Sequence, residues 1–208
     1  MKCFYLKGYI LILMILSILT VACGGREDII DDRDPRCLNP FVEKTYTNDD
    51  RISNMLEEFK NDLENSEIVS MVDSEDLNRL FRIEFVSRET FKNYSSSEKM
   101  IALNSIHYCN NNNYFFEVII RDYKESFNGD ESDELKNAMR AFNNPNTLKV
   151  VVYHELMHIW FNHSKDSGTL MSEKTNHFRL TEEISNQLIE NGFKIEYVGA
   201  LTRREHHN

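Results

Sequence analysis

The chain has 208 residues, and its composition excludes several classes of protein. Lys and Arg number 24 against 34 Asp and Glu, a formal net charge of −10, so a basic nucleic-acid-binding protein is disfavoured and we expect no nucleic-acid partner. Hydrophobic residues make up 41% and aromatic residues 11%, which suits a packed core rather than an intrinsically disordered chain. At this length we expect one globular domain.

Residues 1–22 have the pattern of a signal peptide. Lys2 and Lys7 precede an apolar run at 9–19 that is too short for a transmembrane helix. The segment closes with the letters TVAC, which resemble the lipobox of bacterial lipoproteins, in which the cysteine is lipidated and becomes the first mature residue. This resemblance implies lipidation of Cys23 and a lipid-anchored location at the cell envelope, in the outer membrane with the domain facing the periplasm or the cell surface.

The segment after the signal peptide is predicted to be a tether. Residues 24–45 are rich in Gly, Asp, Arg and Pro and lack a helical or strand period. We therefore divide the mature chain into the lipidated cysteine with its tether, 23–45, and a folded domain, 46–208. Because the mature chain is strongly acidic, its membrane attachment would depend on the lipid.

The first element of the domain is an amphipathic helix. From Asn48 onward, apolar residues recur at helical spacing among charged ones, which predicts one buried stripe. The stripe consists of Ile52, Leu56, Phe59 and Leu63.

Two strands follow in the sequence. Phe81, Ile83 and Phe85 alternate with charged residues, the period of a half-buried strand. A second strand is predicted at 114–121, preceded by an asparagine run at 110–113 that favours a turn. Its residues predicted to share one face are Phe116, Val118 and Ile120.

Two helices are predicted in the second half of the chain before residue 162. The first spans 130–142 and is ended by Pro145. The second starts at Thr147, whose side chain can cap the free amides of the first turn, and runs to about Phe161.

A last helix is predicted near the C-terminus. It runs from about Glu182 to Gly192, with Thr181 as its N-terminal cap and Gly192 in the left-handed conformation that stops a helix. The order of helix, two strands and helices indicates an α+β fold.

The second of these helices contains the most informative residues, which are His154, Glu155 and His158 in the sequence HELMH. Positions i and i+4 lie roughly 40° apart around a helix, so both imidazoles can bind one metal ion. Zinc prefers tetrahedral nitrogen ligation and, in catalytic sites, keeps one position for water. Glu155 would then take the proton of a zinc-bound water that attacks a peptide carbonyl. The pattern predicts one catalytic Zn²⁺.

Two histidines are not enough for such a site, and the third ligand has several candidates. His163 lies five residues beyond His158, past the expected end of the helix. Glu182 or Glu183 would be the ligand in a thermolysin-like enzyme, in which a later helix supplies a glutamate. His177 is a further candidate. The residues alone leave this choice open, and His163 is the one we favour.

The stretch from His163 to Met171, HSKDSGTLM, resembles matrix metalloproteases. In those enzymes the third zinc histidine is followed by Ser, a short acidic loop with a Gly, and the Met of a turn beneath the metal, at the same spacing. The resemblance is to metzincins, most closely a matrixin-like branch, and covers about 146–193. It implies a metzincin-like catalytic domain: a small twisted sheet, an active-site helix, a Met-turn at Met171 and a closing C-terminal helix. It also implies that the strand at 114–121 is the edge strand that aligns substrate.

The chain departs from the family signature at one place. The signature is H-E-x-x-H-x-x-G-x-x-H, whereas this chain has Phe161 at the Gly position and its third histidine one residue early. The family Gly lets the chain turn sharply out of the helix. Asn162 is the residue here best able to adopt a left-handed conformation and deliver His163.

Two cysteines remain once Cys3 is removed and Cys23 is lipidated. Cys37 and Cys109 would lie outside the reducing cytoplasm, so one interpretation is a disulfide between them. The other starts from the sequence PRCLNP at 35–40, which is similar to the matrixin prodomain switch. That similarity implies that the Cys37 thiolate occupies the fourth zinc position and holds the enzyme latent.

The sequence as a whole predicts a monomeric zinc-dependent endopeptidase that acts on a peptide or protein substrate. His154, His158 and His163 would hold the zinc and Glu155 would be the general base. One alternative is a thermolysin-like zinc peptidase, and another is a non-catalytic zinc-binding surface lipoprotein.

Overall fold

The structure is a computed structural model of the chain. It describes residues 26–30, 34–38, 45–95, 100–110, 113–122, 132–133, 136, 144–164, 168–172, 180–199 and 201. Helices and one small sheet are both present, which agrees with the predicted α+β class. The strands are β1 (Arg26–Ile30), β2 (Leu80–Val86), β3 (Ala102–Cys109) and β4 (Tyr114–Arg121). The helices are α1 (Pro35–Leu38), α2 (Asp50–Glu64), α3 (Arg88–Phe91), α4 (Pro145–Met157) and α5 (Glu182–Gly192), with 3₁₀ turns at Val69–Met71, Ser74–Arg79 and Ile195–Tyr197.

The four strands form one mixed sheet in the order β1-β3-β4-β2. β3 and β4 form an antiparallel hairpin, whereas β1 runs parallel to β3 and β2 runs parallel to β4. The strand at 114–121 is therefore in the interior of the sheet, and the expectation that it forms the edge is wrong. β1 lies on the outer side of β3 instead.

The two faces of β4 contact different parts of the molecule. Phe116, Val118 and Ile120 join the main hydrophobic core on the face that meets the helices, which confirms the predicted shared face. Phe115 and Ile119 lie on the other face, in two smaller apolar clusters. In β2 the predicted alternation is interrupted, because its register shifts between Leu80 and Arg82.

Helix α2 packs against α4 through aromatic side chains, as the apolar stripe of α2 predicts. Phe59 is fully buried and meets the ring of Tyr153 edge-on at 5.0 Å and that of Trp160 in a stack at 6.4 Å. Such pairs stabilise a fold by about 0.5–1.5 kcal/mol beyond the burial of their area. Trp160 also donates a hydrogen bond from Nε1 to Asp76 at 3.0 Å. These contacts fix the end of α4 to the body of the domain.

The predicted tether is partly folded. β1 pairs with β3 from Arg26↔Ser105 to Ile30↔Cys109, and α1 is held by a Cys37–Cys109 disulfide. Residues 26–30 and 34–38 therefore belong to the folded domain, and the expected boundary at residue 46 is too late. β1 is difficult to predict from the sequence because three of its five residues are charged and its apolar residues do not alternate with polar ones.

The limits of α4 also differ from those expected. Pro145 occupies the first turn of α4, where a missing amide costs nothing, and most of the helix at 130–142 that it was expected to end lies outside the described residues. The cap is Asn144, whose side chain accepts from the Asn146 amide at 2.9 Å, and Thr147 is buried inside the helix. Helix α4 ends at Met157, earlier than predicted.

The C-terminal helix α5 has the predicted cap, since the Thr181 side chain accepts from the Ile184 amide. Gly192 is its last helical residue rather than a left-handed stop. Its lack of a side chain serves packing: a Cβ there would lie 2.6 Å from the Leu170 side chain. The helix predicted at 130–142 falls mostly outside the described residues, although Lys136 N donates to Ser132 O at 3.0 Å, a helical bond. Among the described residues, no helix is long and apolar enough to cross a membrane.

Candidate metal centre

Helix α4 places two imidazoles side by side at its C-terminal end. His154 is in the last turn and His158 is the C-terminal cap, and their Nε2 atoms lie 3.1 Å apart. This is the geometry that the i, i+4 spacing predicts. His154 is almost completely buried and His158 is half-buried.

The third imidazole of the cluster comes from outside the helix. His163 lies with its ring centroid 5.3 Å from that of His154 and 4.5 Å from that of His158. One nitrogen from each of the three rings lies within 4.8 Å of the others. His154, His158 and His163 are therefore close enough to bind one metal ion. His163 reaches the cluster although α4 ends at Met157, earlier than the sequence predicts.

Hydrogen bonds to backbone carbonyls orient the two helical imidazoles. His154 Nδ1 lies 2.6 Å from Leu170 O, and His158 Nδ1 lies 3.1 Å from Phe161 O. A carbonyl oxygen can only accept, so Nδ1 carries the proton in both rings and Nε2 carries a lone pair. Carbonyl groups that fix the tautomer in this way are typical of metal-ligating histidines.

The electrostatics also keep His158 neutral. Burial and the nearby His163 lower the pKa of His158 from 6.5 to about 4, although its hydrogen bond to Phe161 opposes this. Its Nε2 atom lies 3.1 Å from His154 Nε2, and a neutral imidazole can offer the lone pair of this nitrogen to a metal ion.

The spacing of the His154 and His158 imidazoles fits a tetrahedral metal. Zinc–nitrogen bonds of about 2.0–2.1 Å place two ligand nitrogens roughly 3.3 Å apart, close to the 3.1 Å between His154 and His158. Three neutral nitrogen donors are a set that borderline metals such as zinc accept and that hard cations such as Ca²⁺ do not. The donor chemistry therefore fits the ion that the sequence predicts.

The turn at 168–172 contacts the histidine cluster and helps to orient it. It is anchored by a bridge between Ser164 and Ser172 and by the Ser164 amide, which donates to Met171 O at 2.7 Å. Gly168 has a φ of 85°, a left-handed conformation that glycine adopts without strain. Leu170 in this turn supplies the carbonyl that orients His154. Met171, the predicted Met-turn residue, is fully buried directly after it.

Glu155, the predicted general base, is fully buried beside His154 in the sequence. Its backbone carbonyl accepts a hydrogen bond of 3.0 Å from the side chain of Asn104 in β3. The amide four residues on, that of Ile159, donates to Leu156 O instead, so Asn104 replaces a helical bond at the end of α4. This bond ties the Glu155 turn to the sheet.

The other predicted ligands that fall within the described residues do not join the cluster. Glu182 and Glu183 are exposed on α5, and within the described part of the chain neither belongs to the metal-binding group. Cys37 is bonded to Cys109, so its thiolate does not reach the histidines and the switch interpretation does not hold in this state. His177 and Cys23 lie outside the described residues.

Sequence reasoning missed the residues that support the cluster. Asn104 interrupts a row of apolar residues on one face of β3, between Ala102 and Ile106, and this was the only local signal. Gly192 lies close to the Leu170 side chain and Gly199 close to the backbone of Asn162 and His163, and no local pattern could indicate either contact. No known protein family, curated protein sequence or solved structure matches this chain.

Proposed function

We propose that the protein is a zinc-dependent endopeptidase. The observation that carries the proposal is the convergence of three imidazoles, His154, His158 and His163, on one point, with Glu155 next to the first of them. Zinc supplies Lewis-acid activation of water and of a carbonyl group when it is bound in such a site. Three protein donors leave its fourth position for the reaction.

Glu155 is the residue that moves protons in this proposal. Its carboxylate accepts the proton of the attacking water and donates it to the leaving amine as the peptide bond breaks. Burying a carboxylate is unfavourable without a compensating positive charge, and Glu155 has no exposed surface. This burial supports an enzyme over a simple zinc binder, because zinc binding alone needs no base there.

A metzincin-like enzyme is the version of this proposal that the supporting residues favour. A histidine beyond the helix lies in the cluster, a buried methionine follows the residue that orients His154, and a closing helix packs Gly192 against Leu170. The thermolysin-like alternative has less support, since Glu182 and Glu183 are exposed.

The substitution Glu155→Gln tests the enzyme. An amide cannot accept the proton, so hydrolysis of an unfolded protein substrate should fall by at least about 10²-fold, while zinc content and fold are retained. Glu182→Gln, an exposed change on α5, is the matched control and should keep the activity of the parent. Equal hydrolysis by Glu155→Gln and the parent would exclude this mechanism. A parent that binds zinc and cleaves nothing would favour the non-catalytic lipoprotein.

We also propose that Cys23 is lipidated and anchors the protein in the cell envelope. The TVAC sequence supports this, and the acidic chain offers no electrostatic attraction to an anionic membrane. Cys23→Ala should release the protein into the soluble fraction. Retention of that variant in membranes after a high-salt wash would contradict the anchor.

A further inference from the structure

His163 lies outside α4, so its position depends on contacts of the loop that carries it. The two ends of this loop are held by other segments. Phe161 forms an antiparallel bridge with Leu201 near the C-terminus, and Ser164 forms a bridge with Ser172. Of these two bridges, the one at Phe161 is made by the C-terminal segment.

The C-terminal segment reaches the loop most closely at Gly199. A Cβ on Gly199 would lie 2.0 Å from Asn162 O and 3.1 Å from the carbonyl carbon of His163. Both atoms belong to the backbone, so they cannot move aside as the end of a flexible side chain can. Any side chain at residue 199 must therefore push the two segments apart.

We propose that Gly199 is a positioning residue for the metal centre, and this inference rests on the proposed zinc site. Without a side chain, Gly199 lies directly against the backbone of Asn162 and His163 and so holds the imidazole of His163 near His154. Phe161 stands where the metzincin signature has glycine. In this chain the glycine that lies against the backbone next to His163 is Gly199, which comes from the C-terminal segment.

The size of the displacement decides whether the metal would be affected. Relieving a 2.0 Å contact to an ordinary van der Waals distance of about 3.5 Å requires a shift of more than 1 Å. Metal–ligand distances are fixed to within about 0.2 Å. A shift of this size cannot be absorbed by the bond to His163. We therefore expect at least the 10-fold to 100-fold loss of affinity that follows when a ligand is misplaced.

The experiment compares zinc affinity in the full mature chain and in Gly199→Ala, measured by competition with a chelator. The visible spectrum of the Co²⁺ form reports the coordination geometry. Gly199→Ala should bind zinc at least about 10-fold more weakly and show an altered cobalt spectrum.

Two control variants separate positioning from general loss of stability. Leu201→Ala alters an exposed side chain of the same segment and keeps the backbone, so it should bind zinc as the parent does. Ile119→Val removes one methyl group in the apolar cluster on the other face of the sheet. It should lower the unfolding temperature and leave zinc affinity unchanged.

A measurement on the parent keeps the inference testable if Gly199→Ala does not fold. Coupling between two sites is reciprocal, so zinc should slow hydrogen exchange in a peptide that spans 198–201. Zinc affinity and a cobalt spectrum unchanged in Gly199→Ala, or no slowing of exchange, would overturn the role of Gly199 alone. A parent that binds neither ion would overturn the zinc site and, with it, this role.

Discussion

The molecule has a cluster of polar side chains on each side of the sheet, one on the sheet itself and one at the end of α4, and the two clusters differ in how their charges are balanced. On the face away from α4, Glu117 lies 3.1 Å from Arg36, 3.2 Å from Arg82 and 3.0 Å from His107. On the α4 side, His154, His158 and His163 converge. The first cluster combines acids with bases, whereas the second contains only groups that act as lone-pair donors.

This difference separates a structural cluster from a binding site. The Glu117 cluster is complete, because each charge meets an opposite charge of the same chain, and it fastens α1 and β2 to β4. The guanidinium of Arg36 also lies over the ring of Phe115, at 4.9 Å. The histidine cluster instead offers three imidazole nitrogens that are close enough to bind one metal ion. A histidine is thus part of the structural cluster in one case and a predicted ligand in the other, according to what faces it.

Replacing one histidine in each cluster gives the largest expected contrast. His163→Ala should weaken zinc binding about 10²-fold to 10³-fold, because zinc-binding free energies of about 10–16 kcal/mol are shared among three or four donors. His107→Ala should leave zinc affinity unchanged and lower stability. Chelator competition and thermal unfolding measure the two effects.

Substitutions at the other ligand candidates complete this test. Glu182→Ala, Glu183→Ala and His177→Ala should keep the affinity of the parent. If one of these variants releases the metal while His163→Ala still binds it, then His163 is not the third ligand.

The disulfide beside the Glu117 cluster should affect stability but not zinc. Cys37 and Cys109 are 72 residues apart in the sequence, and closing a long loop reduces the entropy of the unfolded chain. Removing both sulfurs, as Cys37→Ala with Cys109→Ala, should lower the free energy of unfolding by about 2–4 kcal/mol. Denaturant unfolding measures this loss. A zinc affinity that falls as far as in Gly199→Ala would mean that the two clusters are coupled through β3.

The smallest expected effect is a dependence of stability on pH. Burial opposes ionisation of Glu117, but the hydrogen bond of His107 and the charges of His107, Arg82 and Arg36 hold its pKa below the ordinary 4.5. Since the folded pKa is the lower one, this contribution to stability is complete above about pH 4.5 and is lost as the pH falls below that value.

The slope of stability against pH tests this contribution. Metal-free protein should lose stability below about pH 4.5, and Glu117→Gln should show a shallower loss over the same range. Parallel curves for the two proteins would mean that the ion pairs of Glu117 do not stabilise the fold. A hydrogen bond between Asp34 and Arg36 lowers the pKa of Asp34 to about 2, so its own contribution is lost only in stronger acid.

The parts of the molecule that a local pattern encodes were predictable. Helix α2 follows from its apolar stripe, α5 from the cap at Thr181, and the neighbouring imidazoles from the spacing of His154 and His158. In each case the residues that decide the structure lie within about three helical turns of one another.

The parts that depend on distant contacts were not predictable. β3 was missed because almost every residue in it is buried, so it lacks the alternation of a half-buried strand. The edge position of β1 depends on pairing with residues almost 80 positions away. Two contacts at the site depend on backbone atoms, which side-chain patterns do not encode. One is the hydrogen bond between the His154 side chain and the Leu170 carbonyl, and the other is the approach of Gly199 to the Asn162 carbonyl.

The start of β1 at Arg26 has a consequence for where the proposed enzyme could act. Only three peptide steps separate Arg26 from Cys23, and an extended chain covers at most about 3.6 Å per residue. If Cys23 carries the proposed lipid, the start of β1 lies within about 11 Å of the bilayer surface. This distance is close to the length of about 8 Å over which salt screens charges under physiological conditions. A domain attached through so short a segment can rotate but cannot move far from the membrane, so the substrates of the proposed enzyme would have to come to the membrane.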